Sequence, residues 1–181
     1  MTMPNNNNSR ILLKRLKKTL SELGEAQARL NKIVKIIADS MNSEVCSIYL
    51  INRYNILELY ATEGLRSKAV HYSQLNVGQG LVGKIAATAE PIKTSQASKT
   101  KGFRYLPETG EEIYNSFLGV PIQRLGKMLG VLVIQNLKNR EFTEDDVYGL
   151  EIVAMVLAEM AELGVFTSSD GSDDLSQDKK N

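Results

Sequence analysis

A chain of 181 residues fits one domain with appendages. Its 43% hydrophobic and 24% charged residues are ordinary for a globular protein, and a net charge of +1 gives no global field that would favour nucleic acid or anionic lipid. The one cysteine, Cys46, closes no disulfide within the chain and builds no multi-thiolate metal site; with no apolar run of roughly 20 residues and no apolar core after MTMPNNNNSR, the expected location is the cytoplasm.

Residues 1–9 are Asn-rich and are expected to be disordered. From Arg10 to about Met41 the pattern turns helical. Leu13, Leu16, Leu20, Leu23, Leu30, Val34, Ile37 and Met41 follow in steps of three and four, with Gln27 as the interruption. This predicts one long N-terminal helix, its 10–27 part a coiled-coil extension for self-association and its 30–41 part packed on the chain's own domain. Gly24 weakens that helix by roughly 1 kcal/mol relative to Ala. Val45–Ile51 and Leu57–Ala61 flank a polar turn and read as a hairpin. Ala69–Leu75 alternates and reads as a half-exposed strand. Leu81 to about Ala89 reads as a short helix that ends before Pro91. Residues 93–115 have no period and carry Gly, Pro, Ser and Thr, which predicts a long loop, and long loops inside compact domains are functional or disordered. Ser116–Gln123 and Met128–Asn136 are apolar on both faces and read as a central hairpin covered on both sides, with Pro121 as an irregularity. The last helix starts at Thr143, with Asp146 placed for a capping box, and runs to about Leu163 with two apolar stripes, hence two partners. Residues 166–181 read as a disordered tail or linker.

The chemistry-bearing residues are few. Gly78-Gln-Gly80-Leu-Val-Gly83 matches G-x-G-x-x-G between a strand and a helix. A dinucleotide site also needs a crossover helix and an acid about 20 residues on; neither is present, so a tight turn before a short helix is the better reading. His71, the single histidine, has no partner set for nucleophilic or phosphotransfer chemistry. Cys46 shares an apolar face with Ile48 and Leu50 and reads as a buried, inert thiol. Glu111 and Glu112, adjacent in an extended chain, point to opposite sides and do not form a paired acid and base. No catalytic residue, metal site or cofactor is expected. In the 93–115 loop, Phe103, Arg104 and Tyr105 combine apolar surface with a fixed cation and a hydroxyl. Such a group suits a small anionic or zwitterionic ligand under a lid, and it equally suits a loop that is simply anchored by its aromatics. Tyr114 and Ser116 sit where the loop rejoins the sheet and complete the expected ligand-binding set.

In order along the chain, Ala61-Thr-Glu-Gly64, Val77-Gly-Gln-Gly-Leu-Val-Gly83, Leu118-Gly-Val-Pro121, Gly130-Val-Leu-Val133 and Phe142-Thr-Glu-Asp145 resemble a GAF domain over roughly residues 28–165. Pro107-Glu-Thr-Gly-Glu-Glu112, Ser116-Phe-Leu-Gly-Val-Pro121, Val131-Leu-Val-Ile-Gln-Asn136 and Ala154-Met-Val-Leu-Ala-Glu-Met160 look like the sensor domain of nitrogen-related phosphotransferase enzyme I. The resemblance implies an α+β fold: an antiparallel sheet of about six strands with helices on both faces, the first and last helices on one face and a ligand pocket on the other. It implies a regulatory sensor of a small metabolite such as glutamine or 2-oxoglutarate, a homodimer through the N- and C-terminal helices, and phosphotransferase components as partners. The alternative is a ligand-free dimerisation module. The phosphohistidine and phosphoenolpyruvate-binding domains of that family are not in these residues, so no enzyme activity is expected, and the sequence ends where their linker would begin. Gln96-Ala97 and Thr100-Lys101 stand where that family has Asp-Ala and His-Pro pairs, which points to an altered or lost ligand preference.

Overall fold

The computed structural model describes residues 6–110, 113–164 and 166, with side chains from Arg10 onward. Glu111, Glu112 and almost all of the 166–181 tail lie outside the described residues. The stretch expected to be disordered is itself partly helical, because α1 begins at Asn6; residues 1–5 lie outside the description.

The long N-terminal helix is two helices, α1 (Asn6–Ser21) and α2 (Ala26–Ser40), broken at Glu22–Glu25 around Gly24. α1 folds back antiparallel on α2: Arg15 reaches Asp39 at 3.5 Å, and Glu22 reaches Lys32 at 3.1 Å. The Arg29 guanidinium closes the turn by donating to the carbonyls of Glu22 and Gly24, both at 3.2 Å. The reason for the break is burial. Folding back places Leu12 and Leu16 in the domain's own core, whereas Leu13 and Leu23 of the expected seam are exposed. The heptad seam is therefore not continuous. The part from Leu30 to Ile37 does pack inward, with Leu30, Ile33, Val34 and Ile37 fully buried.

β1 (Val45–Ile51) and β2 (Ile56–Glu63) form the expected hairpin. Asn52 shapes its turn, its side-chain oxygen accepting from the backbone of Tyr54 at 2.9 Å and Ile56 at 3.2 Å. Ile48 pairs with Ala61 and Tyr49 with Leu59, so Tyr60 is an extra, bulged residue. The strand expected over 69–75 is only β3 (Gln74–Asn76), because His71 turns the chain with φ 65°. α3 (Gly80–Thr88) ends at Ala89 in the left-handed region, two residues before Pro91. β4 (Ile92–Thr94) was not anticipated. β5 (Ser116–Arg124) and β6 (Lys127–Asn136) turn at Leu125-Gly126, both with positive φ as a two-residue hairpin of this hand requires. β4 lines β5 only over Phe117–Gly119, so Pro121 lies beyond that ladder and its missing N–H is tolerated. α4 (Glu144–Glu162) has the expected capping box: Thr143 Oγ1 accepts from the Asp146 amide at 3.1 Å, and Asp146 returns the bond to the Thr143 amide at 2.9 Å.

The six strands make one antiparallel sheet in the order β3-β2-β1-β6-β5-β4. Alternation along the central strands separates two cores. Cys46, Ile48, Leu118, Val120, Leu132 and Ile134 face α1, α2 and α4. Tyr49, Phe117, Val131 and Val133 face α3 and the 95–110 loop. No described helix is long and apolar enough to cross a membrane.

Candidate functional site

The second face carries the candidate site. Its floor is Tyr49 of β1, Leu75 of β3 and Phe117 of β5; its wall is Gly80, Leu81 and Val82 of α3; its cover is Phe103, Arg104 and Leu106. The glycine-rich turn builds the wall. Gly78 donates its N–H to the Gly83 carbonyl at 2.7 Å, and a Cβ on Gly83 would fall 2.5 Å from the Asn76 carbonyl oxygen. The G-x-G-x-x-G pattern is thus a tight turn into a short helix on an antiparallel sheet. Gly80, with φ +68°, lets the cover come close: a Cβ there would meet the Arg104 Cβ at 3.3 Å.

The cover is short and tied down. Phe103 donates its N–H to Thr100 at 3.0 Å, and its ring packs on the pocket-side core. Leu106 is buried there. Arg104 is exposed, lines the pocket beside Gly80 at the start of α3 and makes no hydrogen bond or ion pair among the described residues. The pocket thus joins an apolar floor to one cationic residue in its lining, next to the start of a helix. The enclosed space is small, about 20 Å³; that holds roughly one water molecule.

The expected ligand set is only partly brought together. Phe103 and Arg104 line the pocket, while Tyr105 is exposed and outside the lining. Tyr114 turns away and donates its hydroxyl to the Gly64 carbonyl at 3.1 Å; burial, and then the Glu44 carboxylate, raise its phenol above the ordinary value. Ser116 lies on the other side of the sheet, with Leu118 and Val120, and donates to the Lys138 carbonyl at 3.0 Å. Neither residue reaches the volume expected of it, and the cause for Ser116 is strand parity. The same parity would have picked out Phe117 and, on the face opposite Ile48, Tyr49, two missed floor residues. Leu75, Leu81, Val82 and Leu106 were missed too, having no signal beyond being apolar.

His71 and Cys46 complete the inventory of reactive groups. The His71 ring is held between Glu58 Oε1 at 2.7 Å and Gln27 Oε1 at 3.0 Å. Cys46 is fully buried in the helix-side core, and burial pushes its thiol well up.

The sequence profile of the GAF domain matches residues 25–160. A protein of Escherichia coli (strain K12) named Phosphoenolpyruvate-dependent phosphotransferase system is 33% identical over 152 residues, covering 81% of this chain and 20% of that protein. The Nif-specific regulatory protein of Azospirillum lipoferum is 27% identical over 154 residues, covering 81% of this chain and 24% of that protein. The chain thus spans about a fifth to a quarter of the length of these relatives. The solved GAF domain from a phosphoenolpyruvate-protein phosphotransferase of Coxiella burnetii is 30% identical, with a TM-score of 0.78, covering 87% of this chain and 96% of that one. With its six-stranded antiparallel sheet, three helices on one face and a covered pocket on the other, the chain belongs to the GAF domain family.

Proposed function

We propose that this chain is a cytoplasmic, non-catalytic GAF sensor that takes a small carboxylate, such as glutamine or 2-oxoglutarate, and regulates a nitrogen-related phosphotransferase system. The observation that carries the ligand class is Arg104: an exposed arginine without a hydrogen bond or ion pair among the described residues, in the lining of an apolar pocket beside Gly80 at the start of α3. A carboxylate bound there would accept two parallel N–H donors and lie at the positive end of the helix. Phe103 and Arg104 remain the ligand-binding residues of this reading; Tyr105 becomes the outer surface of the cover, and Tyr114 and Ser116 support the structure around it. The named relatives, a phosphotransferase system protein and a Nif-specific regulatory protein, support the pathway class. Neither Cys46, buried with a raised thiol, nor His71, taken up by Glu58 and Gln27, is placed as a nucleophile.

The pocket's free space, about 20 Å³, favours one alternative: a closed, ligand-free dimerisation module. Either reading has the terminal helices for a homodimer interface. On α4, Tyr148, Ile152 and Met155 form an apolar stripe at helical spacing that is exposed among the described residues.

The test is a thermal-shift panel of amino acids and small organic acids, followed by calorimetric titration. A true ligand at 100 times its Kd adds about 2.7 kcal/mol of stability. Arg104→Ala should weaken that ligand at least tenfold, since a charge-assisted bond contributes about 1.5–3 kcal/mol, and should leave the melting temperature of the free protein unchanged. Equal affinities remove Arg104 from the site; a panel without any shift favours the ligand-free module.

A further inference from the structure

Hydrogen bonds latch the cover of the pocket to the connection between β2 and β3, residues 64–73. Ser73 Oγ donates to Glu108 Oε1 at 2.7 Å. Arg66 donates from its guanidinium to the Pro107 carbonyl at 3.2 Å and from its backbone N–H to the Thr109 carbonyl at 3.1 Å. The same short connection grips the opposite layer of the molecule. The His71 ring reaches Gln27, the second residue of α2, and Gln27 in turn donates to the Tyr60 carbonyl at 2.9 Å and to Asn31 Oδ1 at 3.0 Å. The bulge at Tyr60 brings ring and carbonyl to this place; the Tyr60 ring stands edge-on to His71 at 5.0 Å.

Residues two apart in a regular strand, as His71 and Ser73 would be, point to one face and could not address both layers in this way. The backbone at His71 is what allows it. Its φ of 65° lies in the left-handed region, unusual for a residue other than glycine. Such a conformation persists only where surrounding contacts hold it. Here the holders are visible. The His71 N–H donates to the Leu59 carbonyl at 2.7 Å, Ser73 accepts from the Leu59 N–H at 3.0 Å, and the ring is bonded at both nitrogens. Ser73 therefore belongs to both systems: its backbone fixes the His71 turn, and its hydroxyl holds the cover. Gln27 sits just after the break on which α1 folds back.

We infer that the 64–73 connection couples the pocket cover to the α1–α2 turn. Lifting the cover releases Glu108 from Ser73 and the Pro107 and Thr109 carbonyls from Arg66. The His71 turn then loses the anchor that Ser73 has in the cover and relaxes from the left-handed region, and the ring withdraws from Gln27. The latched and the relaxed connection are the two states of one turn, and each end makes different contacts in them, so a change at either end biases the other. The inference rests on reading the 103–110 segment as a cover, but it concerns the free protein.

Amide hydrogen exchange of the full chain tests it without any ligand. The variants are Ser73→Ala, His71→Asn (asparagine tolerates the left-handed region) and the pair combined. Ser73→Ala should speed exchange several-fold in residues 103–110 and also in the second turn of α2, Arg29–Lys32. In the His71→Asn background, Ser73→Ala should still speed the cover but leave Arg29–Lys32 unchanged. Gln27→Met cuts the same link from the other side and serves if His71→Asn fails to fold. An effect of Ser73→Ala that stays in the cover, one that reaches α2 equally with and without His71, or no effect on the cover at all would each overturn the inference. A blank ligand panel would not, because no arm of this experiment contains a ligand.

Discussion

Gly80 offers a direct reading of how closely the cover sits on α3, with Gly78 as its internal control. Both have positive φ, +68° and +90°. An alanine at either position takes on left-handed strain of about 1–2 kcal/mol. The stiffer unfolded chain offsets about 0.4–1 kcal/mol of that. Each single substitution should then cost about 1 kcal/mol, or roughly 2–4 °C in melting temperature for a chain of this size. The two differ in what the new methyl meets. At Gly78 nothing lies within 4 Å, whereas at Gly80 the Arg104 Cβ is 3.3 Å away and its backbone nitrogen 3.9 Å. That contact must give by a few tenths of an ångström, and the partner that can give is the loop. Gly80→Ala should therefore resemble Gly78→Ala in melting temperature but raise amide exchange across residues 103–109. Equal protection of the cover in the two variants would refute the close packing of Arg104 on α3.

Two further outcomes follow from the geometry. Thr143→Ala removes one half of the α4 capping box and should cost about 1 kcal/mol, read as a fall in melting temperature with unchanged secondary structure; no fall would show that Asp146, which also accepts from Arg140 at 3.2 Å, holds the helix start alone. The phenols of Tyr60 and Tyr114 are both raised, first by burial and then by Glu58 and Glu44 respectively. The folded state thus keeps these protons to higher pH than the unfolded chain, so their contribution is complete below about pH 10 and is lost as pH rises through the folded values. Melting temperature should fall more steeply above about pH 10 in the wild type than in a Tyr60→Phe, Tyr114→Phe double variant; parallel curves would contradict the raised phenols.

Much of the fold was legible because its signals are local. β1, β5 and β6 are apolar runs bounded by polar turns, and the Thr143–Asp146 box is readable from spacing alone. The break between α1 and α2 was not. Steps of three and four say that a helix buries one side; they do not say whether the cover is another chain or the same one turned back at Gly24. β4 has three residues, Ile-Lys-Thr, too few for a period. β3 was placed early because nothing in Val70-His71-Tyr72 announces a left-handed residue. Of the residues expected to bind a ligand, Phe103 and Arg104 of the loop are the two that line the pocket. Ser116 failed on parity, which could have been worked out, and Tyr114 failed on the path of the loop, which could not. The small free volume depends on how Leu106 fills the pocket, a matter of packing that no pattern of residue types reveals.

The period-two division of the central strands has an evolutionary consequence. In β5, Phe117 belongs to the pocket while Leu118 and Val120 belong to the core under the helices. In β6, Val131 and Val133 alternate in the same way with Leu132 and Ile134. Odd and even positions of one strand thus answer to separate selective demands. Substitutions can accumulate on the odd positions and retune what the cavity admits, while the even positions keep the body of the domain intact. The pocket face can thus change while the scaffold and the helical surfaces are preserved.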